Sequence, residues 1–288
     1  MFGVSAALTT PFVNDGSVDF SKLNDHIKNV LSAGCSSVTF FGTTGEGSSV
    51  ACDMRLKTAR AAIDAGIDPG KIILTLHGAA AGDVVTQAKS ALEMGVERFL
   101  LPPPCYFAGP TDKGLYGWFA NVLSKFEKTG AKFILYHIPQ VIGVALPIQV
   151  TAQLKLAFPG SVYGVKDSSG SFGNTKELLL LPGLEVLVGD ERLLAEGIKL
   201  GASGSISGVA NLFPGRLCQV VASGEKDPLL DRLVDVVVSF PVTPAVKALV
   251  AYKYGVQDWR RPIAPLEALS DHDYAILTNA YDLVDKPS

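Results

Sequence analysis

Residues 161–172 read SVYGVKDSSGSF, and their reading decides the fold. Val162, Tyr163 and Val165 form a short β-type run that ends on Lys166, and Asp167 with a series of Ser and Gly follows at once. The unit is a short buried strand opening into a polar turn. A lysine as the last inward residue of such a strand is unfavourable, because an unpaired buried ammonium is heavily penalised. The reason for its presence has to come from the rest of the chain.

Working outward, the same pattern recurs. Strand candidates are FGVSAAL (from Phe2), SVTFF (Ser37), KIILTLH (Lys71), RFLLPP (Arg98), KFILYHI (Lys132), VYGVK (Val162), EVLVG (Glu185) and SGSIS (Ser203). Helix-like segments lie between them, at Ser21–Ala33, Ala51–Ala65, Asp83–Met94, Thr111–Thr129, Pro147–Phe158 and Glu191–Leu200. Glycine-containing stops such as SAGCSS, EMGVER and KLGASG precede several strands. Eight such units predict an α/β fold, a (β/α)8 TIM barrel. The doubly wound alternative calls for a glycine-rich dinucleotide turn after the first strand, and that turn is missing. After Gly224 the β-pattern stops, and three helical segments follow. The expected division is a catalytic barrel over 1–224 and a C-terminal helical extension over 225–288.

Composition narrows the function. The 288 residues are 48% hydrophobic and 18% charged, which suits a large core. A net charge of −3 without a basic run offers nothing to nucleic acid or an anionic membrane. No apolar run reaches the ~18 residues of a membrane span. The opening MFGVSAALTTPF has no cationic region and meets Pro11, so it reads as no signal peptide. Cys35, Cys52, Cys105 and Cys218 form no CxxC and read as thiols of a reducing cytoplasm. The four histidines are equally scattered, with no HxxxH or HExxH, so no metal site and no cofactor is expected.

A barrel's chemistry sits at the C-terminal ends of its strands. After the second strand comes FFGTTGEGSS, where Gly42, Gly45 and Gly47 flank Thr43 and Thr44. Such a loop can offer backbone N–H groups to a carboxylate, with two hydroxyls to bind or relay a proton; a plain tight turn is the simpler reading. Ser48 stands where a phosphate-binding loop would carry lysine. After the fifth strand, Tyr136 in LYHIPQVIG can donate and accept a proton, or be a core aromatic. After the seventh, VGDERL brings Asp190 and Glu191 to a helix start, where Asp190 would also serve as a cap. Burial in an apolar barrel mouth can free a lysine amine as a nucleophile, and an amine of that kind condenses with a ketone to an imine. Lys166 is then either that nucleophile or half of a structural ion pair.

The segments FFGTTGEGSS, LYHIPQVIGVALP, VYGVKDSSG and LVGDERLLAEGIKLGASGSISGVANLFP, in this order and spacing, resemble the dihydrodipicolinate synthase/N-acetylneuraminate lyase family over essentially the whole chain. The resemblance implies a barrel with a C-terminal helical domain, usually a homotetramer, that forms a Schiff base with pyruvate. It implies Lys166 as the imine lysine, Tyr136 as the catalytic tyrosine, Thr43 at the keto-acid carboxylate and Thr44 in the proton relay. Gly42, Ser168, Gly189, Asp190, Glu191 and Ile206 fall among the substrate-contacting positions. Two departures stand out. Where the synthase carries an arginine for the carboxylate of aspartate semialdehyde, this chain has Val141, nearer the lyase and sugar-acid aldolase branch. The family tyrosine that crosses a dimer interface aligns with Phe107, beside Tyr106. The expected activity is therefore a metal-independent lyase joining or releasing pyruvate and a hydroxyaldehyde, as from a 2-keto-3-deoxy sugar acid or a sialic-acid-like substrate. A dehydratase using the same imine, dihydrodipicolinate synthase proper and a non-catalytic keto-acid-binding barrel are the alternatives.

Overall fold

Strands buried on both faces need small or apolar residues at successive positions, and most of the eight runs have them, with buried Ser and Thr in β1, β2, β3 and β8. In the computed structural model, which describes residues 1–285, they are β1 (Gly3–Ala7), β2 (Ser37–Phe40), β3 (Ile72–Thr75), β4 (Arg98–Leu101), β5 (Lys132–His137), β6 (Val162–Asp167), β7 (Glu185–Val188) and β8 (Gly204–Ser207). All pair in parallel in sequence order, and β1 pairs with β8 to close the barrel. The helices are α1 (Phe20–Ser32), α2 (Cys52–Asp64), α3 (Ala81–Leu92), α4 (Asp112–Leu123), α5 (Pro139–Ile142), α6 (Ile148–Ala157), α7 (Phe172–Leu179), α8 (Leu194–Lys199), α9 (Pro214–Ser223), α10 (Pro228–Val238), α11 (Val242–Tyr254) and α12 (Asp271–Asp285). The TIM barrel expected from the repeated strand–turn–helix unit is the fold observed.

An inner cluster including Ile73, Leu100, Ile134, Leu187 and Ile206 forms one core, and Tyr136 packs at its upper end. A larger apolar layer separates strands from helices. A third cluster joins α10, α11 and α12 through Leu233, Val237, Leu249, Leu277 and Tyr281. α11 is buried almost all round, as suits a helix with neighbours on every side. The expected extension over 225–288 includes 286–288, which lie outside the described residues.

Some boundaries differ from expectation. The helix expected over Thr111–Thr129 ends at Leu123, because Phe126 turns into the core and successive i→i−3 bonds replace the helical ladder. The Glu191–Leu200 segment opens as a 3₁₀ turn over Glu191–Leu193 before α8 begins. α5, α7 and α9 were not among the expected helices.

Candidate active site

Tyr136 and Lys166 are register partners on β5 and β6, so both project from one face at the same height in the barrel mouth. Lys166 Nζ donates to the Tyr136 hydroxyl at 3.3 Å and lies 4.5 Å from the centroid of its ring. The Thr43 hydroxyl is 3.3 Å from the same phenol oxygen. Amine, phenol and hydroxyl thus form one chain of exchangeable protons. Lys166 is only 6% exposed, and among the described residues it has no salt-bridge partner.

The Thr43 loop is shaped by its own backbone. Phe41 and Glu46 both take left-handed conformations with φ 58°. A Cβ at Gly47 would overlap the Phe41 carbonyl, so glycine is required there. Gly45 N and Gly47 N both donate to Gly42 O (3.1 and 3.2 Å), which closes the turn. Among the described residues, the N–H groups of Thr43 and Thr44 have no hydrogen-bond partner. His77 donates from Nε2 to Phe41 O at 2.7 Å, and burial pushes its pKa down to about 4. The two threonine side chains point different ways. It is Thr43, not Thr44, whose hydroxyl reaches Tyr136; Thr44 faces the cavity with its own hydroxyl unpartnered among the described residues.

The loops after β6 and β7 are cross-braced. Asp167 points away from the mouth, accepting from Ser169 N (3.0 Å), Asn174 Nδ2 (3.0 Å) and Thr175 Oγ1 (2.8 Å) at the start of α7. Gln140 Nε2 donates to Ser168 O at 2.6 Å. A Cβ at Gly189 would overlap the Ser168 hydroxyl, so close approach of the two loops requires glycine. Asp190 accepts at both its oxygens from Arg192, at 2.9 and 2.7 Å, while bordering the mouth. Arg192 also donates to Asp235 at 2.9 Å. Glu191 accepts from the Ser207 hydroxyl at 2.5 Å and, at 3.4 Å, from Val209 N. Burial pushes its carboxyl above the usual range.

These groups line one cavity of about 410 Å³. Thr43, Thr44, Tyr136, Val141, Lys166, Ser168, Gly189, Asp190, Glu191 and Ile206 all face it. Gly42 does not; its part is to close the turn. Arg192 and a wall of valines from α10 and α11, including Val237, Val238 and Val242, complete the lining and were not foreseen. Arg192 was visible in VGDERL, but its partner Asp235 lies 43 residues away. A second cavity of about 550 Å³ on the other side of Thr43 and Tyr136 is lined by Arg55, His77, Pro103 and Cys105 among others. Among the described residues, no three His, Cys, Asp or Glu side chains could hold a metal ion, and no helix is long and apolar enough to cross a membrane.

Comparison with known proteins agrees with this geometry. The model of the dihydrodipicolinate synthetase family matches residues 1–276. An uncharacterized DapA-like lyase of Chloroflexus aurantiacus is 30% identical, over 98% of this chain and 96% of its own. A 4-hydroxy-tetrahydrodipicolinate synthase of Salinibacter ruber is 26% identical over the same shares. The crystal structure of a dihydrodipicolinate synthase from Agrobacterium tumefaciens superposes with a TM-score of 0.95 and 44% identity, covering 98% of this chain and 99% of that one. Fold and site together define an aldolase-type barrel lyase acting on small molecules. The chain belongs to the dihydrodipicolinate synthetase family.

Proposed function

We propose that this enzyme is a Schiff-base lyase that reversibly joins pyruvate to a neutral hydroxyaldehyde. The observation that carries the reading is the buried Lys166 amine, without an acidic partner, hydrogen-bonded to Tyr136. The neutral amine adds to the ketone carbon of pyruvate, and loss of water, with a proton supplied by the Tyr136 phenol, gives the protonated imine; the phenolate can then take the methyl proton. Loss of a methyl proton gives the enamine, whose carbon attacks the aldehyde. The aldehyde oxygen takes a proton from Tyr136, which recovers one through Thr43, and water then releases the 4-hydroxy-2-keto acid. The free N–H groups of Thr43 and Thr44 suit the keto-acid carboxylate, and Ile206 the apolar end of pyruvate. Nothing in this sequence calls for a metal or cofactor, so chelators are expected to leave turnover unchanged.

The choice of aldehyde rests on the far side of the cavity. Val141 is 57% exposed there and cannot pair with a carboxylate. Arg192 is already shared between Asp190 and Asp235, with Glu191 beside them. A second acid would meet more carboxylates than free cations. The names of several relatives favour the alternative, 4-hydroxy-tetrahydrodipicolinate synthase, and a panel of aldehydes offered with pyruvate separates the two. For assembly we propose a cytoplasmic homotetramer. Tyr106 and Phe107 are both exposed, and Tyr106 alone has a positive φ (95°), which suits a side chain held by a neighbouring subunit.

Borohydride added with pyruvate should trap one adduct per chain, on the peptide containing Lys166. An adduct elsewhere, or none while turnover persists, removes the imine reading.

A further inference from the structure

The Thr43 loop is held from outside the barrel, and the grip belongs to α11. Lys247 is wholly buried, with 0% of its surface exposed. Its Nζ donates to Glu46 Oε1 and to Thr10 O, each at 2.6 Å, and sits 4.4 Å from the centroid of the Phe12 ring. Glu46 lies in the loop itself, in its left-handed conformation, and its second oxygen accepts from Ile263 N at 2.7 Å. One helical turn before Lys247, the Thr243 hydroxyl donates to Thr43 O at 3.1 Å. Thr10 also donates from its hydroxyl to Gly45 O at 2.8 Å. Three consecutive parts of the loop are therefore fixed by groups that belong to β1's exit and to α11.

Lys247 lines neither cavity, so it cannot touch a substrate. Stability alone is a weak explanation for it, because a buried ion pair is often matched or bettered by apolar residues of similar volume. What a charged, hydrogen-bonded pair supplies over an apolar one is direction. Here the direction is imposed on Glu46, two residues from Thr44 and three from Thr43. A misplacement of about 1 Å in a substrate-holding group can lower turnover ~10²-fold.

We propose that α11 positions the keto-acid loop, through Lys247 on Glu46 and Thr243 on Thr43, so that the C-terminal helices set the affinity for pyruvate. Lys247 and Thr243 are positioning residues, and the claim rests on the keto-acid reading of the site.

The test compares wild type, the double variant Glu46→Gln with Lys247→Met, and the single variant Thr243→Val. The double variant removes both charges and leaves an acceptor for Ile263 N. It is expected to melt near wild type and to raise the KM for pyruvate at least about tenfold, with the aldehyde KM within about twofold. Thr243→Val, the milder change, is expected to raise the pyruvate KM about fivefold, the worth of one neutral hydrogen bond. Hydrogen exchange of the peptide spanning 42–50, without ligand, should quicken in both. A general loss of stability would instead change both KM values or kcat alone. If the double variant does not fold, Thr243→Val decides. Unchanged pyruvate KM and unchanged exchange overturn the proposal. Should wild type give no adduct with pyruvate, the function falls separately, and faster loop exchange alone would still uphold the positioning role of α11.

Discussion

The molecule buries two lysines that bear on one loop, Lys247 directly and Lys166 through Tyr136. Lys247 meets the loop from below through a carboxylate, a carbonyl and an aromatic face, and burial pushes its pKa down only to about 8 against the pull of Glu46. Lys166 lies inside the barrel mouth against the phenol and the ring face of Tyr136, whose hydroxyl reaches Thr43, with no salt-bridge partner among the described residues. Both are shielded from water, yet one is compensated and the other is not. An enclosed cation with a full set of acceptors is held in place and orients the groups that accept from it. An enclosed amine with a single neutral partner gains little from folding and is open to carbonyl chemistry.

The sharpest way to break this contrast is to remove each amine in turn. Lys166→Met should abolish the borohydride adduct and turnover while leaving the melting temperature equal or higher, since no counter-charge is orphaned. Next in size, Tyr136→Phe keeps the ring under the amine but removes the proton carrier, and should lower kcat by ~10²–10⁴. Near-normal turnover would reassign Tyr136 to packing. Lys247→Met leaves Glu46 charged and unpaired, and should lower stability in chemical denaturation by ~3–5 kcal/mol. Equal destabilisation by Lys166→Met and Lys247→Met would erase the distinction.

The contrast also marks what could be read from sequence. Lys166 was legible because it ends an apolar strand, where a charge needs a reason, and because its partner ends the neighbouring strand in register. The eight strands were legible because most are short apolar runs and glycine stops punctuate the helices. Lys247 was not legible. In TPAVKALVAYKYG it looks like one polar residue on a helix, and its partner Glu46 lies 201 residues away. Arg192 and Asp235 escaped for the same reason, and with them the pairing of Asp190. Pairing of this kind is decided by tertiary contact, which local pattern does not encode. The divergence of Thr43 and Thr44 has another cause: a tight turn with two left-handed residues sends adjacent side chains in directions that a strand or helix period does not give.

Acid should act on the Lys247 side of the molecule. His26 is buried between α1 and α11, donating from Nε2 to Asn211 Oδ1 at 2.7 Å and accepting at Nδ1 from Tyr254 at 2.8 Å. Burial, reinforced by nearby Lys253, pushes its pKa down to about 4. The folded state then binds fewer protons than the unfolded state between about pH 6.5 and pH 4. Stability is present above that window and is lost as pH falls through it, by up to ~3 kcal/mol. Denaturation at pH 7 and pH 4.5 measures it together with a like contribution from His77, whose pKa burial also pushes down to about 4, and His26→Gln should roughly halve the dependence. An unchanged slope would show that other groups carry the acid response.

The smallest expected effect concerns the rim of the Lys166 cavity and asks what a third cation would do there. Val141 is exposed at the mouth, on the helical turn that follows β5, with Asp190, Glu191 and Arg192 across the same cavity. Arg192 adds no free positive charge, because Asp190 takes two of its nitrogens and Asp235 another. Within this cavity a second carboxylate therefore meets no free cation beyond Lys166, whereas hydroxyl groups find acceptors. A charged hydrogen bond is worth ~1.5–3 kcal/mol, so its absence corresponds to a tenfold to hundredfold lower kcat/KM. Wild type should prefer glyceraldehyde or another neutral hydroxyaldehyde to aspartate semialdehyde with pyruvate. Val141→Arg should move the ratio toward the semialdehyde by about the same factor, leaving the borohydride adduct at Lys166 unchanged. A wild-type preference for the semialdehyde would mean that Arg192 leaves Asp190 when that substrate binds, and the enzyme would then be a synthase. The same measurement on Arg192→Lys would expose that switch, since lysine cannot hold Asp190 by two parallel bonds and a distant carboxylate at once.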